Sequence, residues 1–149
     1  MKTLIIYESI HHGNTEKIAK VIAEKLDADL KHPHEIKLED LAGYDLIGFG
    51  SGIYFARLHV SLRKFLEKLP AMAGKKAFVF CTRGNSKNGW VRGFEKNMVA
   101  KGFNVVGRFE CQGFDTWGPF QLIGGTGKGR PNEADFAQAT AFAESLIIL

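Results

Sequence analysis

Short apolar runs alternate along the chain with longer segments whose apolar positions recur three and four residues apart, a pattern that predicts strands and helices in turn. The first run, Thr3-Leu4-Ile5-Ile6-Tyr7, carries no charge and is bounded by a polar stretch, as in a strand buried on both faces. Ile18, Val21, Ile22 and Leu26 then recur at helical spacing, with Asn14 or Thr15 able to cap and Glu16 in the first turn. A weaker strand is expected within residues 28–36, where Lys31, His32, Pro33 and His34 interrupt the run and Pro confines it to a sheet edge. Asp45-Leu46-Ile47-Gly48-Phe49-Gly50, ending in a Gly-rich turn, and Ala77-Phe78-Val79-Phe80-Cys81 read as central strands, and residues 104–111 as the last strand. Two helices are predicted between them. Leu62, Phe65, Leu66 and Leu69 mark the first, closed by Pro70; Trp90, Phe94, Met98 and Val99 mark the second, stopped by Gly102. A final helix through Phe136, Ala139, Ala143, Leu146 and Ile147 opens at Pro131 or Asn132.

Strands alternating with helices imply parallel pairing through right-handed crossovers, with helices on both faces. The expected fold is a doubly wound α/β domain over residues 1–149, with a five-stranded parallel sheet as the middle of three αβα layers. A chain of 149 residues suffices for a core of its own. Its 45% hydrophobic content is too high for disorder, and no stretch reaches the ~18 consecutive apolar residues of a membrane span. Glu8, Ser9 and two histidines follow the first apolar run closely, which argues against a secretory leader. Cys81 and Cys111 lie in apolar runs and read as buried thiols in a reducing cytoplasm. Twenty Lys and Arg against 16 Asp and Glu give a net charge of +4, but Lys17, Lys20, Lys25, Lys64 and Lys68 fall at the spacing of solvated helix faces. Nucleic acid is not an expected partner. The charge suits an acidic partner or an anionic ligand.

Ligands of open parallel sheets sit beyond the carboxyl ends of the strands, where strand order reverses. That directs attention to residues 8–15, 51–59, 82–89 and 113–131. In the first loop, Ser9, Ile10, His11, His12, Gly13, Asn14 and Thr15 combine hydroxyl, amide and imidazole groups at a helix N-terminus, the arrangement of a phosphate cradle or of an ordinary capped helix start. No G-x-G-x-x-G follows the first strand, and Gly127-Lys128 is followed by Gly129 rather than Ser or Thr, so neither a dinucleotide fingerprint nor a Walker loop is present. His11 and His12 without carboxylate or thiolate partners make no closed metal site. The last loop is unusually long and rich in glycine, as functional or mobile loops are.

At these residues the chain resembles the flavodoxin family over essentially its whole length. That family binds the FMN phosphate in a Ser/Thr-rich loop ending in Gly-Asn-Thr, which Ser9, Gly13, Asn14 and Thr15 match, as do Ala19 and Ile22 in the following helix. An additional residue between Ser9 and Gly13, and His11-His12 in place of a hydroxyl residue, depart from the pattern. The resemblance implies that Ser51, Gly52, Ile53, Tyr54 and Phe55 form the first flavin-flanking loop, with Tyr54 the leading candidate for an aromatic wall and Phe55 the runner-up. Phe55 stands where many short-chain members have a Gly whose peptide flips to stabilise one-electron-reduced flavin, so weak stabilisation of that state is expected. Thr82, Arg83, Gly84 and Asn85 correspond to the second flanking loop, which here lacks its central aromatic. Arg83 reads equally as a balance for negative charge on reduced flavin or as a solvated arginine, and Trp90 as core rather than a shield. Phe114, Trp117 and Phe120 make either a surface for a partner or small flat substrate, or a local core that pins the loop.

The resemblance implies an FMN protein carrying electrons between redox partners, a reductase and an acceptor. The alternative is an FMN oxidoreductase acting on a quinone or a protoporphyrinogen-type substrate, because residues 50–69 also look like the corresponding segment of flavodoxin-like protoporphyrinogen dehydrogenases. That family's insertion near the last helix has no counterpart here. A phosphoacceptor switch domain is disfavoured, since the acidic cluster it needs at the strand ends is missing: Glu8 stands alone and Ser51 follows the third strand.

Overall fold

The computed structural model describes residues 1–85, 87–116 and 122–149. In chain order the elements are β1 (Thr3–Glu8), α1 (Asn14–Leu26), β2 (Asp29–Lys31), β3 (Leu46–Tyr54), β4 (Arg57–Leu58), α2 (Val60–Lys68), β5 (Lys76–Arg83), α3 (Arg92–Ala100), β6 (Asn104–Gln112) and α4 (Glu133–Ile147). Four parallel pairings join five strands in the order β2-β1-β3-β5-β6, and β4 adds a short antiparallel pairing to β3. Six strands therefore form the sheet: the five expected parallel ones and one hairpin partner. The α1 and α4 side chains pack together on one face, with Ile18, Ile22, Ala139 and Ala143 buried. On the opposite face Leu62, Phe65 and Leu66 of α2 join Phe94 and Met98 of α3.

The central strands β1, β3 and β5 are buried on both faces and so are apolar along their middles without alternation, whereas the edge strands β2 and β6 carry charged residues. Phe49 centres the α2/α3 side, its ring 5.5 to 6.5 Å from those of Phe65, Phe94 and Phe103. Each such ring removed from water contributes about 1.5–3 kcal/mol.

β3 continues four residues beyond the Gly-rich turn expected to end it, and then folds back as β4. The glycines that read as a strand end are packing sites instead. Gly48 pairs with Phe78 and Gly50 with Phe80, and each ring lies where a Cβ on its glycine would stand. β2 is shorter than expected. His32 ends it by bonding its Nδ1 to the Tyr7 carbonyl at 3.0 Å and entering a one-turn helix at Pro33. A further short 3-10 helix, Leu38–Gly43, buries Leu41 and has too few residues to show a helical period in the sequence. Asn132 opens α4 as expected, its side chain accepting the Asp135 N–H. Asn14 and Thr15, in contrast, lie inside the first turn of α1, whose N-cap is Gly13.

Replacing Gly50 by Val drives a side chain into the Phe80 ring. We expect the variant to lose about 1–3 kcal/mol in urea unfolding, as other overpacked cores do, whereas Gly43→Ala, with open space at its Cβ, should leave the midpoint nearly unchanged.

Candidate functional site

Strand order reverses between β1 and β3, and the loops leaving their carboxyl ends diverge to opposite faces. A crevice opens there, lined by a mixture of apolar and polar residues. Four segments line it, following β1, β3, β5 and β6.

From the first segment come Ser9, Ile10, His11, Asn14 and Thr15. The Glu16 N–H donates to Ser9 Oγ at 3.1 Å, which folds the loop over the helix start. Gly13 adopts φ +65 and has no side chain with which to cap the opening turn of α1. Thr15 is buried and shares a hydrogen bond of 2.8 Å with Thr82. Asn14 donates through Nδ2 to the Phe114 carbonyl at 2.7 Å, while its buried Oδ1 has no partner among the described residues. The two histidines divide. His11 lines the crevice, whereas His12, held at φ +58, packs on Phe114 with ring centroids 4.6 Å apart and hydrogen-bonds Thr116 Oγ1 at 3.2 Å. His12 and Gly13 do not line the crevice themselves.

Gly52, Ile53, Tyr54 and Phe55 line it from β3 and its hairpin; Ser51 does not. Ser51 is fully buried, and its hydroxyl donates to the Gly52 carbonyl and accepts the His59 N–H at 2.9 Å, fixing the chain's return into α2. Tyr54 folds back against Gly52, hydrogen-bonds the backbone of Ile10 and meets His59 edge-on at 5.1 Å. Burial pushes the Tyr54 hydroxyl pKa up, against a downward pull from the Ile10 bond. Phe55 and Ala56 both have positive φ, 51 and 65, in the two-residue turn between β3 and β4. Such turns favour Asn-Gly, so two L residues with side chains hold backbone strain here, beside the crevice. Phe55 is 83% exposed and Ile10 51%.

Thr82, Arg83 and Gly84 line the third side; Asn85 instead accepts the Lys87 N–H at 3.0 Å. Arg83 is not a solvated surface residue. Its Nε donates to the Lys87 carbonyl, Nη2 to Asn88 Oδ1 at 2.6 Å, and buried Nη1 has no partner among the described residues. The Glu110 carboxylate of β6 accepts the N–H groups of Gly89 and Trp90 at 2.6 and 2.8 Å, anchoring the far end of this loop. Trp90 packs against the α2/α3 core and does not reach the crevice.

Gly113, Phe114 and Asp115 complete the lining, and of these only Phe114 stood out in the sequence. Asn14 packs against Gly113 and Asp115 against Gly84, in each case where a Cβ would stand. A glycine directly after an apolar strand is a usable signal for such close approach. Trp117 and Phe120, read as parts of an aromatic surface, lie outside the described residues. The last loop is tied back by Arg130, which pairs with buried Asp135 through Nη2 at 2.6 Å and reaches Gln112 at 3.4 Å; Gln112 in turn donates to the Gly84 carbonyl at 3.1 Å.

The sequence matches the flavodoxin domain family over residues 4–117, and the chain belongs to that family. It is 46% identical to the uncharacterized protein MJ0298 of Methanocaldococcus jannaschii, over 99% of both chains. Among solved structures it resembles oxidised Flavodoxin 2 from Bacillus cereus, with TM-score 0.74 and 27% identity over 99% of each chain. A flavodoxin from the domain Archaea superposes with TM-score 0.71 at 19% identity, covering 96% of this chain and 94% of the other. Family and fold together support a flavoprotein role in electron transfer.

Burial pushes the Asp135 carboxyl pKa up, but the Arg130 bonds, the Asn132 N–H and the Arg130 and Arg83 charges outweigh it and hold the group below the ordinary carboxylate value. A carboxylate depressed on folding adds stability above its unfolded pKa and loses it as pH falls through the folded one. Asp135→Asn should therefore lower the urea midpoint near pH ~7, with the gap to the native chain closing below pH ~4.

Proposed function

We propose that this protein binds FMN in the crevice and carries electrons between a reductase and an acceptor protein. One observation carries the reading: a buried acceptor, Asn14 Oδ1, and a buried donor, Arg83 Nη1, both on crevice-lining residues, lack partners among the described residues. Buried polar atoms are rarely left so, and a ligand with both hydroxyl and carbonyl groups satisfies both. FMN has such groups on its ribityl chain and pyrimidine edge.

The amides of Gly13, Asn14 and Thr15 at the start of α1, with Ser9 and His11 beside them, would hold the phosphate. The Tyr54 ring would wall the flavin, and Arg83 would face its polar edge. Bound FMN supplies the one- and two-electron chemistry; the protein supplies position, shielding and charge. Ile10 and Phe55 give the crevice an exposed apolar rim, which favours contact with a protein partner. Cys81 and Cys111, both free and buried, support a reducing, cytoplasmic setting. Among the described residues no helix is long and apolar enough to cross a membrane.

The protein reconstituted with FMN should be yellow, retain flavin through gel filtration, and turn over quinones slowly unless a reductase is supplied. A protein that stays colourless with FMN in excess contradicts cofactor binding, and rapid reductant-driven quinone turnover without a partner contradicts the carrier role. Arg83→Gln removes a positive charge beside the site, so the midpoint potential of its bound flavin should be more negative than that of the native chain in a spectroelectrochemical titration.

A further inference from the structure

A second groove, of about 610 Å³, runs between α2 and α3 below the β3–β4 hairpin and shares no lining residue with the crevice. Its apolar lining comes from Leu58, Leu66 and Phe94, each at most 4% exposed, together with part-buried Trp90. Its polar lining is predominantly cationic. Lys101 is committed to α2, donating to the carbonyls of Glu67 and Leu69 at 3.1 and 2.7 Å. Arg63 spends only Nε, on the Leu58 carbonyl at 3.2 Å, and the Arg57 side chain, beyond its backbone pairing with Tyr54, has no hydrogen bond or ion pair among the described residues. Two guanidinium groups thus keep their forked N–H pairs available over an apolar surface, with Glu67 the single carboxylate among the lining residues.

Gly93 makes the groove more than a gap between helices. It sits in the first turn of α3, and a Cβ there would meet nothing within 4 Å. Neither a close neighbour nor a positive φ requires glycine, and glycine weakens a helix relative to almost any other residue. What its absent side chain preserves is open space in the groove wall. The indole Nε1 of Trp90, one of the lining residues, is shut off from solvent and has no acceptor among the described residues.

We infer that this groove is a second binding site, for an aromatic carboxylate: the apolar wall takes the ring, and Arg57 and Arg63 take the carboxylate. The site is independent of flavin, and its test separates the two.

Naphthalene-2-carboxylate is titrated into the purified full chain while the Trp90 indole N–H resonance, assigned by its loss in Trp90→Phe, is followed by NMR. A saturable shift is expected, with the affinity reduced roughly tenfold or more in Arg63→Gln, the loss of a charge-assisted hydrogen bond. Gly93→Leu extends a side chain into open space and replaces a poor helix former with a good one, so it should fold with an unreduced melting temperature, keep its FMN affinity and lose the shift. The neutral analogue 2-naphthalenemethanol should bind roughly tenfold more weakly for want of the charge. No shift in the millimolar range, a shift that survives in folded Gly93→Leu, or equal binding of the alcohol overturns the proposal. A colourless protein that binds the acid would sink the FMN reading and leave this one standing, and a yellow protein indifferent to the acid would do the reverse.

Discussion

The crevice follows from the parallel pairing of β1 with β3. Thr3 to Glu8 lie in register against Leu46 to Ser51; β1 stops there while β3 runs on to Tyr54, and their connections depart to opposite faces. α1 packs with α4 on one face and α2 with α3 on the other. Everything else at the site depends on that strand pairing, because each lining segment lies at or just beyond the carboxyl end of a strand of this sheet.

The lining segments are held to one another across the crevice rather than by their own turns alone. Asn14 joins the start of α1 to the last loop through the Phe114 carbonyl, and Thr15 joins it to β5 through Thr82. Asp135, Arg130 and Gln112 form a relay from α4 to the Gly84 carbonyl. Glu110 fixes the other end of the same loop. Four loops that would be mobile singly become a frame, and preorganisation of that kind lowers the entropy cost of taking up a ligand. Local backbone strain at His12, Phe55 and Ala56 is concentrated on the same frame.

The periodic parts of this architecture were legible in the sequence. Uninterrupted runs such as Leu46-Ile47 and Phe78-Val79-Phe80 announce doubly buried parallel strands, and the spacing of Ile18, Ile22 and Leu26 announces a helix with one buried side. The hairpin was not legible: Gly48 and Gly50 look like turn residues until Phe78 and Phe80 are known to lie across them, and that is a contact between strands, invisible along one. The loops of the site could be located from the strand ends, but the orientation of their side chains could not. Ser51 turns inward because the His59 amide needs an acceptor, and His12 turns from the crevice because Phe114 and Thr116 receive it. Gly113 and Asp115 lie in a loop the strand ends single out, but not as marked site residues, since their importance lies in what packs against them from Asn14 and Gly84. Similarly, Arg83 could be told from a solvated arginine only once Asn88 and the Lys87 carbonyl were seen to hold it.

The central claim is that the helix start after β1 grips a phosphate and so secures a flavin in the crevice. It is tested most directly by titrating the flavin-free protein with FMN and, separately, with riboflavin, which has the same ring and ribityl chain but no phosphate, while following quenching of flavin fluorescence. The account predicts a sharp end point at one FMN per chain and far weaker riboflavin binding. Equal affinity for the two would place the binding energy elsewhere and contradict it.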